Sequence, residues 1–178
     1  MLPKMRPLER FKMTMGLIVL GLTIMMVLAP LTLAKGSVTD LSGKIGQVDN
    51  AAKYEEMNPF AAVIYYFGDM NCHQMDERTY SLNGNEMPIC SRDLGIFIGL
   101  AAGLIFGLNT KYRPKFLHVI ALAAPMAMDG GAQALTEYES FNELRLVTGL
   151  LGGLAIAFFL IMIASEMYED RALPDSVS

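Results

Sequence analysis

Charge is in short supply in this chain. Only 18% of its 178 residues are Asp, Glu, Lys or Arg, against roughly 25% in ordinary soluble domains. Tryptophan is absent, and histidine and cysteine occur twice each. A net charge of −4, with no basic stripe, interleaved aromatics or zinc-finger spacing, excludes nucleic acid as a partner. The scarcity of reactive side chains also localises any chemistry. Cys72, His73 and Cys90 are three of the four histidines and cysteines, and they fall within 19 positions of one another.

Apolar surface is what the chain has in quantity. It is 53% hydrophobic, with 16 glycines and 14 methionines, and its apolar residues gather into four long runs. The expected fold class is an all-α integral membrane protein: a four-transmembrane-helix bundle with an extracytoplasmic loop containing a short helix and a small hairpin. The first run, Met13 to Ala34, is long enough to cross ~30 Å of hydrocarbon. Its basic flank (Lys4, Arg6, Arg10, Lys12) and the Thr32-Leu33-Ala34 at its end also have the form of a secretory signal, but the run exceeds the ~7–15 residues of a signal core, which favours a retained anchor. The other spans are Leu94–Leu108, Phe116–Leu135 and Leu146–Ala164. The second and third are short or carry polar residues, as expected of helices packed on protein rather than lipid. Residues 1–57 then form the first span and an outer linker, and 58–178 a membrane domain with three spans. Within the linker's continuation, Asn58-Pro59 is an N-cap followed by proline at the first helical position. The helix it opens, Phe60 to Phe67, is too short to span and should deliver the chain to Cys72.

Orientation follows from lysine and arginine in the connections. Basic residues dominate the start of the chain and the turn Asn109–Lys115, which carries Lys111, Arg113 and Lys115 without an acid. The segment Lys35–Asp93 holds five basic and nine acidic residues, and Thr136–Arg145 one and three. Both termini should therefore be cytoplasmic and the Cys72 loop external, in a multi-pass protein of the cell membrane. Gly95, Gly99, Gly103 and Gly107 recur every four residues, and Gly149, Gly152 and Gly153 repeat the theme in the fourth span. Such bare faces let helix backbones approach closely, either within the chain or in a homo-oligomer. The methionines serve as gap-fillers.

In the outer loop, Asn83-Gly84 between two extended stretches is a two-residue hairpin signal that needs positive φ at both turn positions. Counting back from that turn sets Cys90 near Glu77, a few residues from Cys72 and His73. Three arrangements of the cysteines are open. A Cys72–Cys90 disulfide would stabilise the loop by about 3 kcal/mol. A zinc site could use Cys72, His73 and Cys90 with a carboxylate or water as fourth ligand. The thiols could also be free. Asp129 lies about 20 Å along the third span, inside the hydrocarbon near the outer face. A carboxylate there costs ~2.5–3.5 kcal/mol, so it must face the bundle, either as a polar clamp or as a base or ligand, with Gln133 one turn on. Arg78, Arg92 and Arg145 fall on the outer side, where basic residues are scarce. They suit lipid phosphate or another anion through the paired donors of the guanidinium, or else they pair with Asp93, Glu143 or Asp129. His118 is read as an interfacial residue rather than a ligand.

These residues together carry a resemblance. Cys72-His73-Gln74 with Arg78, then Pro88-x-Cys90-x-Arg92-x-x-Gly95-x-x-x-Gly99, then Pro125-x-x-x-Asp129-Gly130-x-x-Gln133, then Arg145-x-x-Thr148-Gly149-x-x-x-Gly153, resemble the small prokaryotic membrane proteins grouped as domain of unknown function 2085. The resemblance covers about Phe60 to Ala164. It implies a multi-spanning membrane protein and no particular activity.

The function expected from the residues is a zinc-dependent, membrane-embedded enzyme, a hydrolase acting on a lipid or lipid phosphate at the outer leaflet. Cys72, His73, Cys90 and Asp129 would hold the metal, with His73 and Asp129 as catalytic groups. Gln74, Arg78, Arg92, Gln133 and Arg145 would contact the substrate. The alternative is a scaffold or accessory subunit without a cofactor, stapled by Cys72–Cys90. A third reading, transport of an ion or small solute, has the intramembrane carboxylate but no visible repeat or pair of broken helices.

Overall fold

In the computed structural model of the chain, which describes residues 5–108 and 113–170 with the side chains of 169 and 170 left aside, Pro7 opens the first helix. Lys4, Lys111 and the last eight residues lie outside the described part. Helix α1 (Pro7–Leu28) begins with proline at its first position, while the Glu9 carboxylate accepts the Arg6 backbone N–H at 3.0 Å and pairs with the Arg6 guanidinium. It starts six residues earlier than the apolar run because these groups satisfy the polar first turn. A 3-10 turn, Ala29–Thr32, continues it, and α1 with this turn makes a 26-residue apolar segment. After a short α2 (Ala51–Tyr54), Asn58 caps α3 (Pro59–Asn71) by accepting the Ala61 N–H at 3.0 Å, as its sequence predicts. Strands β1 (Ser81–Leu82) and β2 (Asn85–Glu86) pair antiparallel with Ser81 opposite Glu86, and Asn83 (φ 56°) and Gly84 (φ 72°) make the turn. Then follow α4 (Ser91–Phe106), α5 (Phe116–Leu135) and α6 (Asn142–Asp170).

Two of these helices are long and apolar enough to cross a membrane: α1 with its turn, and α6 from Asn142 to Tyr168. The expectation of four crossings meets a physical limit in the other two. Helix α4 has 16 residues, about 24 Å at 1.5 Å each. Helix α5 has 20, but His118, Pro125, Asp129 and Gln133 dilute its hydropathy.

The tightest seam joins α4 to α6. A methyl on Gly95 or Gly99 would overlap the carbonyl of Leu146 or Leu150, and one on Gly149 or Gly153 the carbonyl of Arg92 or Ile96. The glycine faces are thus packed on each other within the chain. Helix α5 lies along α6 more loosely, and Asp129 is its one buried residue. Phe11 of α1 and Tyr168 of α6 approach with ring centroids 6.5 Å apart, and Lys12 donates to the Gly107 carbonyl at the end of α4. The first turns of α1 therefore share one end of the bundle with the end of α6, and the start of α4 lies at the other.

That other end is closed by a cap. Met26, Val38, Leu41, Tyr54, Ala61, Ile64, Tyr65, Met87, Ile89 and Leu94 form one buried cluster, so residues on both sides of position 57 share a core. The irregular stretch 35–50 is held by buried polar side chains. Asn85 receives the Val38 N–H at 2.9 Å and donates to the carbonyls of Pro30 and Ala34. The Glu86 carboxylate receives Asp40 and Leu41, and Asp69 receives Asn50 at 3.0 Å. Each such bond replaces the water that a buried peptide group would otherwise lose.

A polar cleft lined by thiols and arginines

Two close approaches bring the cysteines together. Gly68 in the last turn of α3 has no side chain, and a methyl there would occupy the position of the Pro88 carbonyl. That same carbonyl accepts a 2.9 Å hydrogen bond from the Gln74 amide. Cys72 ends α3 as its C-cap, Cys90 precedes α4 as its N-cap, and the Gly68–Pro88 contact fixes the two caps side by side. The Cys90 backbone N–H donates to Cys72 Sγ at 3.3 Å. The sulfurs are neighbours and unbonded. Asp93, one turn into α4, joins them: its carboxylate and both sulfurs lie within 4.8 Å of one another.

The thiols are not equivalent. Cys72 is pushed up by its hydrogen bond with Cys90 and then by burial. Cys90 is lowered by that same bond, against burial and the nearby Asp93 carboxylate.

The trio opens into a cavity of about 170 Å³ whose lining includes His73, Arg78, Arg92, Gln133 and Arg145. Arg92 reaches it from the first turn of α4; its Nη2 donates to Asp129 Oδ2 at 2.6 Å and to Gln133 Oε1 at 3.2 Å. Arg78 pairs with Glu139 at 2.7 Å, and that contact holds the Glu139 carboxyl below its ordinary range. Arg145 is 2% exposed, and its hydrogen bonds among the described residues are two long ones, to the Glu77 carbonyl at 3.3 Å and Asn142 Oδ1 at 3.5 Å. Nitrogens of all three arginines are buried without a hydrogen-bond partner among the described residues: Arg78 Nε, Arg92 Nε, and Arg145 Nε and Nη2. Gln133 Nε2 shares this state. A larger cavity of about 620 Å³ lies between α1 and α4, lined by Leu20, Ile98, Ala101, Ile105 and Phe106 among others. It is apolar and offers no convergent donor set, so the chemistry is sought in the smaller one.

Most residues singled out in the sequence thus meet at one place, in altered roles. Cys72, Cys90, Arg78, Arg92, Arg145 and Gln133 face the cavity. His73 is exposed at its rim and stands outside the thiol–carboxylate trio, and its backbone carbonyl accepts the Gly43 N–H at 2.9 Å. Gln74 also lines the cavity, but it is fully buried and its amide is engaged by Pro88, Asn50 and Tyr54, so that it braces the loop. Asp129 is tied to Arg92 and accepts the Tyr138 hydroxyl at 3.4 Å. It positions an arginine and does not join the thiols. Asp93, considered in the sequence only as an arginine partner, is the carboxylate that the fold brings beside the two sulfurs. Its spacing of three from Cys90 at a helix start was the available signal, since residues i and i+3 share a helix face.

A protein family described as "Predicted membrane protein (DUF2085)" matches residues 72–159, from the first cysteine into α6. An uncharacterized protein of Methanocaldococcus jannaschii is 32% identical over 132 residues, covering 71% of this chain and 81% of that protein. An uncharacterized protein of Methanothermobacter thermautotrophicus is 36% identical over 89 residues, 48% of this chain and 80% of that protein. No solved structure matches the chain.

Proposed function

This chain belongs to the DUF2085 family of predicted membrane proteins, and we propose that it is a membrane-embedded hydrolase whose outer cleft takes the phosphate of a lipid phosphate. The observation that carries this reading is the set of four arginine nitrogens buried without partners around a single cavity. A buried guanidinium without an anion is costly, and removing one partner from such a pair costs about 3–5 kcal/mol. Arg145 has no carboxylate partner among the described residues, so an anion is what its site lacks. Guanidinium groups bind phosphate oxygens through paired N–H donors, and three of them from α4, α6 and the outer loop surround a tetrahedral group better than a planar one. The cavity has room for about five waters, enough for a phosphate head but not for an acyl chain, which would remain in the bilayer.

The setting supports a substrate that arrives through the membrane. In this reading α4 and α5 cross beside α1 and α6, their polar residues turned onto protein. The shared end formed by Phe11, Lys12, Gly107 and Tyr168 is cytoplasmic, in keeping with the basic N-terminal flank, and the thiol cleft is external. Impermeant thiol labelling of cysteines placed singly at Asn83 and Thr110, in a Cys72→Ser, Cys90→Ser background in intact cells, should modify Asn83→Cys only. The reverse pattern would put the cleft in the cytoplasm.

The binding reading is tested with inorganic phosphate and a short-chain lipid monophosphate on the detergent-solubilised protein. Both should bind, and Arg145→Met should weaken both by about tenfold or more, the size expected for one charge-assisted contact. Equal binding by wild type and Arg145→Met would end it. A second reading, a non-catalytic scaffold stapled through the neighbouring sulfurs, is favoured by their proximity. It expects a Cys72–Cys90 disulfide in mass spectra of protein alkylated before reduction, and no response to phosphate.

A further inference from the structure

The geometry points to a divalent metal site formed by Cys72, Cys90 and Asp93, with its fourth position open to the arginine-lined cavity, and this inference rests on the reading of the cleft as a phosphate site. The three candidate ligand atoms come from two elements held against each other by the Gly68–Pro88 contact: the C-cap of α3, and the N-cap and first turn of α4. Their mutual separations, all within 4.8 Å, are near what a four-coordinate ion needs, since ligands at ~2.0–2.3 Å in a tetrahedron stand ~3.3–3.8 Å apart. Small adjustments of three side chains close the remaining difference.

The donor set selects the metal. Two thiolates and one carboxylate suit zinc, a borderline-soft ion, and are a poor match for magnesium or calcium, which take oxygen ligands. The outer contacts fit as well. The Cys90 backbone N–H already points at Cys72 Sγ at 3.3 Å, the kind of hydrogen bond that stabilises a metal-bound sulfur. Asp93 balances part of the arginine charge around the cavity.

A structural zinc site is closed by a fourth protein ligand, whereas a catalytic one keeps that position for water or substrate. No fourth histidine, cysteine or carboxylate joins the trio among the described residues. The open side instead faces the buried nitrogens of Arg92 and Arg145. A phosphate held by those arginines would present an oxygen to the metal. A water on the metal, losing its proton to solvent or a rim group such as His73, would attack phosphorus. The bond from phosphorus to the ester oxygen then breaks, and the leaving alcohol takes up a proton, so that water and phosphate ester become alcohol and inorganic phosphate.

The test is metal content together with cobalt spectroscopy on full-length protein purified in detergent without chelator. Wild type should carry about one zinc per chain, and cobalt replacing it should give the thiolate-to-metal absorption of a two-sulfur tetrahedral site. Cys72→Ser and Cys90→Ser should each lose that absorption, and Asp93→Asn should weaken cobalt affinity at least tenfold. His73→Ala and Asp129→Asn should retain the metal, which also excludes the wider ligand set suggested by sequence. Metal-free wild type that takes up no cobalt, a Cys72–Cys90 disulfide in the isolated protein, or an Asp93→Asn variant with unchanged affinity would each overturn the site. Arg145→Met separates the two proposals: it should keep zinc while losing phosphate. Phosphate binding with no metal would therefore sink the metal site alone, and metal with no phosphate response would sink the reading of the cleft.

Discussion

Helices α4 and α5 both lie against α6, yet they are attached by opposite means. The α4 seam is backbone on backbone: Gly95, Gly99, Gly149 and Gly153 present no side chain, and each touches a carbonyl of the facing helix. Helix α5 meets the bundle through side chains, with Met126 seated over Gly152 and the Asp129 carboxylate gripping Arg92 at 2.6 Å. In lipid there is no hydrophobic drive between apolar helices, so association depends on packing and interhelical polar contacts. One pair has used the first means and the other the second. Cys90, Arg92 and Asp93 hang on the start of α4, the helix held by backbone contact, and Cys72 is brought to them from the end of α3. Helix α5 is the wall held by side chains, and we expect it to be the more adjustable of the two.

The sharpest way to break this contrast is to fill the seam. Gly99→Val should cost more than about 3 kcal/mol, beyond the usual range for overpacking, because the obstacle is the Leu150 main chain rather than a side chain that can swing away. Thermal or denaturant unfolding in detergent should show little or no folded species. Gly131→Ala in α5 has open space around it and is the control; it should stabilise by up to ~1 kcal/mol through helix propensity alone. Similar effects of the two substitutions would mean that the seam is not tighter than the wall.

The next effect concerns the ionic attachment of α5. Asp129→Ala leaves the Arg92 guanidinium without its acid, and since the Arg92 side chain is 22% exposed, the loss should be about 2 kcal/mol, below the buried-pair range. The double variant Asp129→Leu, Arg92→Met should recover most of it, because both charges are then gone. A double-mutant cycle with no coupling energy would show that α5 is held by packing after all.

How much of this was legible in the sequence depends on the range of the interactions. Asn83-Gly84 and Asn58-Pro59 announce a turn and a helix start through bonds only a few residues long, and both appear where their residue types require. Phe116 to Leu135 is likewise an apolar run whose ends coincide with the helix. The four-residue glycine repeat told of close packing but not of the partner, since a bare face is equally suited to its own chain or another. The cap was opaque. That Asn85 and Glu86 hold residues 38–41, or that Gly68 makes room for the Pro88 carbonyl, depends on contacts 20 to 50 positions apart with no local signature. The same distance effect hid which side chains the fold gathers beside the thiols. Cys72 and Cys90 were near one another through the hairpin, but Asp93 rather than His73 or Asp129 completes the trio, because Gln74 turns at φ 46° and the His73 side chain ends at the rim while Arg92 claims Asp129.

A smaller effect sharpens the distinction between stability and binding. Arg145 lies on α6, the helix both others pack against, faces the cleft, and is buried without an acid paired to it among the described residues. Replacing it with methionine should leave stability unchanged or raise it by about 1 kcal/mol, because an uncompensated cation is removed and volume is kept. Added phosphate should raise the melting temperature of wild type and not of the variant. A strongly destabilised Arg145→Met would instead mark this residue as a structural clamp.

The smallest change, a single methyl, is the most discriminating, because it compares adjacent residues on one helix. Gly152 and Gly153 differ by about 100° around α6, so one faces α5 and the other α4. A methyl on Gly152 meets the sulfur of Met126, the far end of a flexible, unbranched side chain. A methyl on Gly153 meets the Ile96 carbonyl and, at 2.7 Å, the Leu100 nitrogen, both main-chain atoms. Gly152→Ala should therefore change stability by less than ~1 kcal/mol, the Met126 rotamer shift being offset by the alanine's helix preference. Gly153→Ala should be clearly worse, approaching the cost of filling the seam elsewhere. Helix propensity, membrane insertion and added volume are the same for the two, so the difference between their unfolding free energies isolates the facing helix. Equal values would show that α4 yields as readily as α5, and the division into a rigid partner and an adjustable wall would have to be given up.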